Sequence, residues 1–146
     1  FFFKEGFCWN NVLNPQARLL KAKMKTASVN DVGSMSLSTI CAQTPNYYFV
    51  SILNSELIFN YYRTFINCSV NIQINDIRML PVIIPTQEEL QSIWPIFKRA
   101  VDIKKNEYTN ASSSTDREEE LGSIERFIDE YVNELYSVNT SNKSLD

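Results

Sequence analysis

The sequence of 146 residues has no histidine, only three glycines, only three cysteines and no long uninterrupted apolar run. Without histidine, neither a Ser-His-Asp nor a Cys-His catalytic arrangement can be assembled, and a zinc site is disfavoured. Gly6, Gly33 and Gly122 are too scattered to build a phosphate-cradling loop or a nucleotide-binding glycine fingerprint. The most apolar stretch, residues 47–65, is interrupted by Asn54, Glu56, Asn60 and Arg63, so it reads as a buried helix and not a membrane span. Cys8, Cys41 and Cys68 are odd in number and widely spaced, which points to a reduced, cytoplasmic setting. Glu118, Glu119 and Glu120 are consecutive and must point in different directions on a helix, so they suit a solvated face better than paired acid/base work. The Asn-x-Ser sequons at Asn67, Asn110, Asn139 and Asn142 read as chance matches in an Asn- and Ser-rich chain. No constellation supports an enzyme complete within this chain.

What is present is ordinary for a globular domain: 44% apolar and 21% charged residues, enough for one domain or one domain with a small helical extension. The chain opens FFFKEGFCW, without a start methionine and without the charged-then-apolar layout of a signal peptide. We therefore expect the parent protein to continue upstream of Phe1. The net charge of −3 hides an asymmetry. Residues 1–110 hold 11 Lys and Arg against 8 Asp and Glu, whereas residues 111–146 hold 3 against 9. The acidic end is a poor nucleic-acid surface; the front part is a suitable one.

Residues 1–45 read as strands and turns, with an aromatic opening and a turn at Asn14-Pro15. Lys21, Lys23 and Lys25 alternate with Ala22, Met24 and Thr26, which predicts all three lysines on one strand face. After a turn at Asn30-Asp31-Val32-Gly33, the alternation of Met35, Leu37 and Thr39 with serines predicts another strand. A helix over 47–65 follows, packed on several sides. Val70, Ile72 and Ile74 then alternate with Asn71, Gln73 and Asn75, as in a strand. Thr86 and Glu89 form a capping box. The helix it opens carries a stripe of Leu90, Trp94, Phe97 and Val101, with Pro95 expected to bend or break it. After a polar loop at 109–115, a last helix over 116–138 bears Leu121, Ile124, Ile128, Tyr131 and Leu135 on one side. Two such stripes joined by a short loop predict an antiparallel hairpin. The expected fold class is therefore α+β: a small β-rich module with a buried helix over 1–85, a helical hairpin spacer over 86–138, and a disordered tail over 139–146.

The chemistry left for function is polar recognition. Lysines along one strand face can neutralise phosphates, although a solvated edge that discourages aggregation accounts for them equally simply. Asn71, Gln73 and Asn75 carry amides that donate and accept at once, as base edges require, or they simply face solvent.

Several motifs, taken in order, resemble the C-terminal specificity region of TaqI-like N6-adenine DNA methyltransferases, found in single-chain restriction-modification enzymes and in related BREX-type phage-defence methyltransferases. GFCWNNV at 6–12 is similar to the family's Gly-x-x-Trp-x-x-hydrophobic opening. RLLKAKMKTASVNDVGSMSL at 18–37 resembles its basic segment leading to an Asp-x-Gly-Ser turn. Leu53-Asn54-Ser55 resembles its Leu-x-Asn-Ser element, and VNIQINDIRMLPVIIPT at 70–86 its Gln-x-x-Asp-Ile-x-x-Leu-Pro signature. IDEYVNELY at 128–136 resembles the Asp-x-x-Val-x-x-Leu-Tyr ending. The family's Asn/Asp-Pro-Pro-aromatic catalytic motif and its S-adenosylmethionine motif are not in this chain, and its closing Tyr-Gly-Leu stands here as Tyr136-Ser137-Val138.

The resemblance implies a division of labour. An upstream methyltransferase domain of the same polypeptide would bind S-adenosylmethionine, flip an adenine and methylate it. This chain, inactive and cofactor-free by itself, would bind double-stranded DNA and select the site. The first candidates for DNA contact, chosen on their chemistry, are Arg18, Lys21, Lys23 and Lys25, followed by Arg78, Asn71 and Gln73. No catalytic, cofactor or metal residue is expected here, and no membrane partner. The alternative is a protein-protein interaction module acting through the C-terminal hairpin.

Overall fold

A computed structural model of the chain describes residues 3–29, 33–107 and 114–141. The fold is α+β. Its strands are β1 (Gly6–Asn10), β2 (Lys23–Lys25) and β3 (Ser34–Leu37), in the antiparallel order β2-β1-β3. Its helices are α1 (Asn46–Leu53), α2 (Glu56–Tyr61), which runs on into a π-helical turn at Tyr62–Ile66, α3 (Ile74–Arg78), α4 (Gln87–Asn106) and α5 (Ser114–Ser141). Residues 30–32 of the expected turn at 30–33 and most of the polar loop at 109–115 lie outside the described residues. Helix α5 extends to Ser141, into the expected tail, and residues 142–146 lie outside the description.

Strand β1 places Phe7 and Trp9 on the face covered by α1, where Phe7 stacks on Phe49 at 5.2 Å. Gly6 has a steric reason. A Cβ there would sit 2.3 Å from the Leu37 carbonyl oxygen, backbone against backbone. Gly6→Ala must push β1 and β3 apart, and we expect it to lower unfolding free energy by about 2 kcal/mol or more, measurable by urea denaturation.

The apolar stretch expected as one helix is two. Asn54 ends α1, and the Ser55 side chain accepts from the Ile58 amide at 3.4 Å to start α2. The Asp129 carboxylate of α5 reinforces that start, accepting from the Glu56 amide at 2.7 Å. Acidic patterning puts Asp129 on the outer surface of the hairpin; it is instead a partner of a neighbouring helix. The π-turn rotates the end of the stretch outward, leaving Phe65 71% exposed although the sequence suggests burial.

The alternating stretch after residue 70 is not a strand either. It makes a single bridge, Val12 to Asn71, and then turns into α3. The Asp76 carboxylate explains the switch. It accepts from the Gln73 amide at 2.9 Å and from Asn67 Nδ2 at 2.8 Å, fixing a helix start where alternation predicts extended chain.

The capping box at Thr86 forms, with Thr86 N–H on Glu89 at 2.6 Å and Glu89 N–H on Thr86 Oγ1 at 3.2 Å. Helix α4 continues through Pro95. Pro95 and Gln91, four residues before it, are both exposed, so the carbonyl left without a helical donor can reach water. Its buried residues are Leu90, Ile93, Phe97 and Ile103; Trp94, expected on that stripe, is 46% exposed and lies against Tyr47 at 4.7 Å. In α5, Ile124, Ile128, Val132 and Leu135 are buried. The two helices run antiparallel, since Tyr131 reaches Glu89 while Glu120 reaches Arg99.

The hairpin does not stand off from the module as a spacer would. One continuous core runs from Phe7 and Trp9 through Tyr48, Ile52 and Ile58 to Ile93, Ile128 and Val132. Three tyrosine hydroxyls fasten the connector between α3 and α4 and the start of α4. Tyr48 donates to the Ile83 carbonyl at 2.8 Å, Tyr136 to Pro81 at 2.6 Å and Tyr131 to Glu89 at 3.3 Å. No helix among the described residues is long and apolar enough to cross a membrane.

Candidate nucleic-acid interface

The C-terminal end of β1 is where the polar segments converge. Asn11 donates to the Gly33 carbonyl at 3.1 Å, Ile72 donates to Asn11 at 2.9 Å and Leu13 donates to Val70 at 2.7 Å. The π-turn is tied to the same place. Arg63 Nη1 donates to the Ser69 carbonyl at 2.6 Å and Asn67 Nδ2 to the Asn71 carbonyl at 3.0 Å. The pairing of β2 with β1 ends at Lys23 opposite Cys8, and Lys21 lies two residues before it in the chain.

Lys23 and Lys25 share one face of β2, as expected, but Lys21 lies outside the strand and only Lys23 of the strand pair is exposed. Lys23 is exposed on β2, opposite Cys8. Lys21 precedes the strand with φ 53°, in the left-handed region that non-glycine residues seldom adopt. Lys25 is only 8% exposed, and its ammonium donates to the carbonyls of Lys4, Thr26 and Ser28, at 3.0 Å for Lys4. Three donors meeting three carbonyls make Lys25 a pin for the adjoining turn, and its charge does not project from the surface. Between β1 and β2, Arg18 is exposed on the chain that leaves the Asn14 turn.

Asn54 holds this basic segment. Its Oδ1 accepts from the Ala22 amide and its Nδ2 donates to the Ala22 carbonyl, both at 2.8 Å. A side-chain amide thus replaces a strand partner at Ala22, between Lys21 and Lys23. Nothing in the local pattern announces this, because the contact spans 32 residues of sequence. Leu53-Asn54-Ser55 is legible in the sequence only as a motif; its work is to end α1, clamp Ala22 and start α2.

Asn71 is exposed and its backbone carries the bridge to Val12, while Gln73 is exposed at the start of α3. Arg78 lies elsewhere. It ends α3, which packs beside β3, at the sheet edge opposite β2. The structure therefore places Asn71 beyond the end of β1 and Lys23 on the β2 edge, with Lys21 just before it in the chain, and puts Arg78 beside β3 at the opposite edge. Sequence reasoning misses the exposed ring pair Tyr61–Phe65, centroids 5.1 Å apart, on the turn tied to Asn71 through Asn67. Their spacing of four suggests a shared helix face, and it is the π-turn that exposes it.

Residues 1–30 carry Lys4, Arg18, Lys21, Lys23 and Lys25 against Glu5, with Asp31 next in sequence, and the Asp76 carboxylate is bonded to Asn67 and Gln73 in the neighbouring segment. Cys8, beneath the lysines, is buried, and that burial raises its thiol pKa more than Lys23 and Lys25 lower it. It is placed as a packing residue. Among the described residues no group of three or more His, Cys, Asp or Glu side chains is arranged to hold a metal ion. No family model, curated protein or solved structure matches the chain.

Proposed function

We propose that this chain is a DNA-recognition region of an N6-adenine DNA methyltransferase of the restriction-modification or phage-defence kind. It would position duplex DNA for a catalytic domain upstream in the same polypeptide. The observation that carries the reading is the exposed Arg18, Lys21 and Lys23 series, with Lys21 held in a left-handed backbone beside the residue that Asn54 clamps. Strained backbone kept in place by a tertiary contact is characteristic of a binding surface. Arg18, Lys21 and Lys23 would neutralise phosphates and set register; the Asn71 amide and the Tyr61–Phe65 rings lie on the neighbouring segments and would approach bases. S-adenosylmethionine belongs to the upstream domain in this reading, and no residue of this chain is assigned to it.

Pairing of the hairpin with another chain is the weaker reading. The inner stripes of α4 and α5 are already covered, by each other and by α1 and α2.

Salt dependence tests the proposal. Removing one cation that neutralises a phosphate should reduce the slope of log K against log salt by about 0.9. Replacing Arg18, Lys21 and Lys23 together with alanine should lower that slope by about 2.7 and weaken binding to a labelled duplex, read by fluorescence anisotropy. Glu118, Glu119 and Glu120 changed together to glutamine should leave binding unaltered. An unchanged slope in the first variant, with altered association in the second, would sink the DNA reading and favour the hairpin.

A further inference from the structure

A cleft of about 290 Å³ opens between the end of β3, at Leu37–Thr39, and the chain from Ile77 to Val82. Its floor is Phe7, Phe49, Ile52, Leu53 and Ile58, so it reaches the core. Ile77 and Arg78 bring α3, which packs beside β3, into its wall. A volume at the lower end for ligand pockets suits one or two aromatic side chains better than a large ligand.

The first residues of the chain arrive at this cleft. A Cβ on Gly6 would lie 2.3 Å from the Leu37 carbonyl oxygen and 3.4 Å from the Ser38 Cα, so the start of β1 abuts the Leu37–Ser38 rim. Just before it, Phe3 is 70% exposed and has φ 59°, a left-handed turn that a phenylalanine seldom adopts. The Lys25 ammonium holds the Lys4 carbonyl at 3.0 Å, so the chain has a fixed point directly after that turn. Three residues span about 10 Å, which puts the cleft within reach of Phe1 and Phe2.

The composition of the chain favours those two residues as occupants. Of the segments outside the described residues, 30–32, 108–113 and 142–146 are mostly polar, and only 1–2 is wholly apolar. A tethered ring also acts at an effective concentration on the order of millimolar, which a separate partner seldom matches. We propose that Phe1 and Phe2 form a strap that folds back at Phe3 and seats an aromatic ring in the cleft, closing the core at the end of β3. For the polypeptide expected upstream of Phe1, the strap would set the line of entry beside β3 and α3. The seat does not depend on the DNA reading, whose Lys23 lies on the β2 edge.

Disulfide trapping tests the strap in the full chain of 146 residues, with the exposed Cys41 and Cys68 changed to serine. Phe1→Cys and Phe2→Cys are each combined with Val82→Cys at the cleft or with Met24→Cys on β2, two accessible positions. We expect at least one of them to close on Val82 faster than on Met24 by roughly tenfold or more. Separately, Phe1→Ser and Phe2→Ser together should lower the melting temperature by about 5 °C. The same double variant should admit toluene to the cleft, read as methyl shifts of Ile52 and Ile58 that toluene does not cause in the parent chain. Equal trapping at Val82 and Met24, or toluene shifts of the same size in the parent chain, would overturn the proposal.

Discussion

Asn54→Ala should lower the melting temperature of this protein by about 10 °C, a loss of about 3 kcal/mol. Deleting the amide removes two hydrogen bonds of 2.8 Å and strands both the N–H and the C=O of Ala22, a residue only 6% exposed. Each buried backbone group left without a partner costs about 1–3 kcal/mol. Asn54→Asp separates the two halves of the contact. It keeps an acceptor for the Ala22 amide but sets a carboxylate oxygen against the Ala22 carbonyl. We expect it to be at least as damaging as alanine at neutral pH and to recover partly in acid, where a protonated carboxyl can donate again. Differential scanning calorimetry at two pH values gives the comparison. A melting temperature within a degree or so of the parent for Asn54→Ala would show that Ala22 finds other partners and that the clamp is dispensable. The DNA reading makes a linked demand. The alanine variant should also loosen the Lys21 backbone, so its DNA affinity should fall even at temperatures where it is fully folded.

Alkaline pH should unfold the protein over a narrow range. Burial pushes the Tyr62 hydroxyl up to about 12, aided by the Asp76 carboxylate. Burial likewise pushes Tyr131 up to about 12, with Glu89 adding to it, and Tyr136 to about 12 despite the Ile83 amide, which acts the other way. Burial raises Tyr48 further still. In the unfolded chain these groups titrate near 10, and their folded values are higher. The neutral phenols therefore contribute stability that is complete below pH 10 and is lost as pH rises from 10 toward 12. For the fully buried Tyr62 the contribution is about 3 kcal/mol. The structural reason is specific: the Tyr48, Tyr131 and Tyr136 hydroxyls donate to the carbonyls of Ile83, Glu89 and Pro81. Ionised oxygens would repel those same carbonyls, so the connector that leads into α4 would be released. Tyrosinate absorbance and far-ultraviolet circular dichroism should change together between pH 10 and 12. Tyr62→Phe should flatten the alkaline fall in stability. Titration of all seven tyrosines near pH 10 with the helical signal intact would contradict the burial described here.

The residues that carry the family resemblance turn out to be mostly scaffold. Gly6 permits close approach of Leu37, Trp9 fills the core, and Asn54 and Ser55 clamp and cap. Asp76 starts α3, while Tyr136 fastens Pro81. Such positions are set by geometry that tolerates few substitutes. Surface cations such as Arg18 and Lys23 have no such constraint, and the basic segment that contains them fixes their charge but not a partner.

What the sequence determined by itself was whatever depends on near neighbours. The Thr86–Glu89 box is a contact over three residues, and Ile124, Ile128 and Leu135 of α5 recur with the helical period, although the fully buried Val132 falls outside the stripe read from the sequence. The box and those three positions could be read directly, and so could the α+β class. Local alternation failed where a polar group drew the backbone another way. Asp76, three residues after Gln73, accepts its amide and starts a helix in a strand-like stretch, so a local cap was masked by the apolar alternation around it. Three backbone carbonyls drew Lys25 inward from a run that looked uniformly exposed. Asp129 left the acidic surface to cap α2 across 73 residues. A buried amide, ammonium or carboxylate takes whichever partner the folded chain brings near. Periodicity carries which face is apolar, whereas the partner of a polar group exists only once the chain has closed on itself.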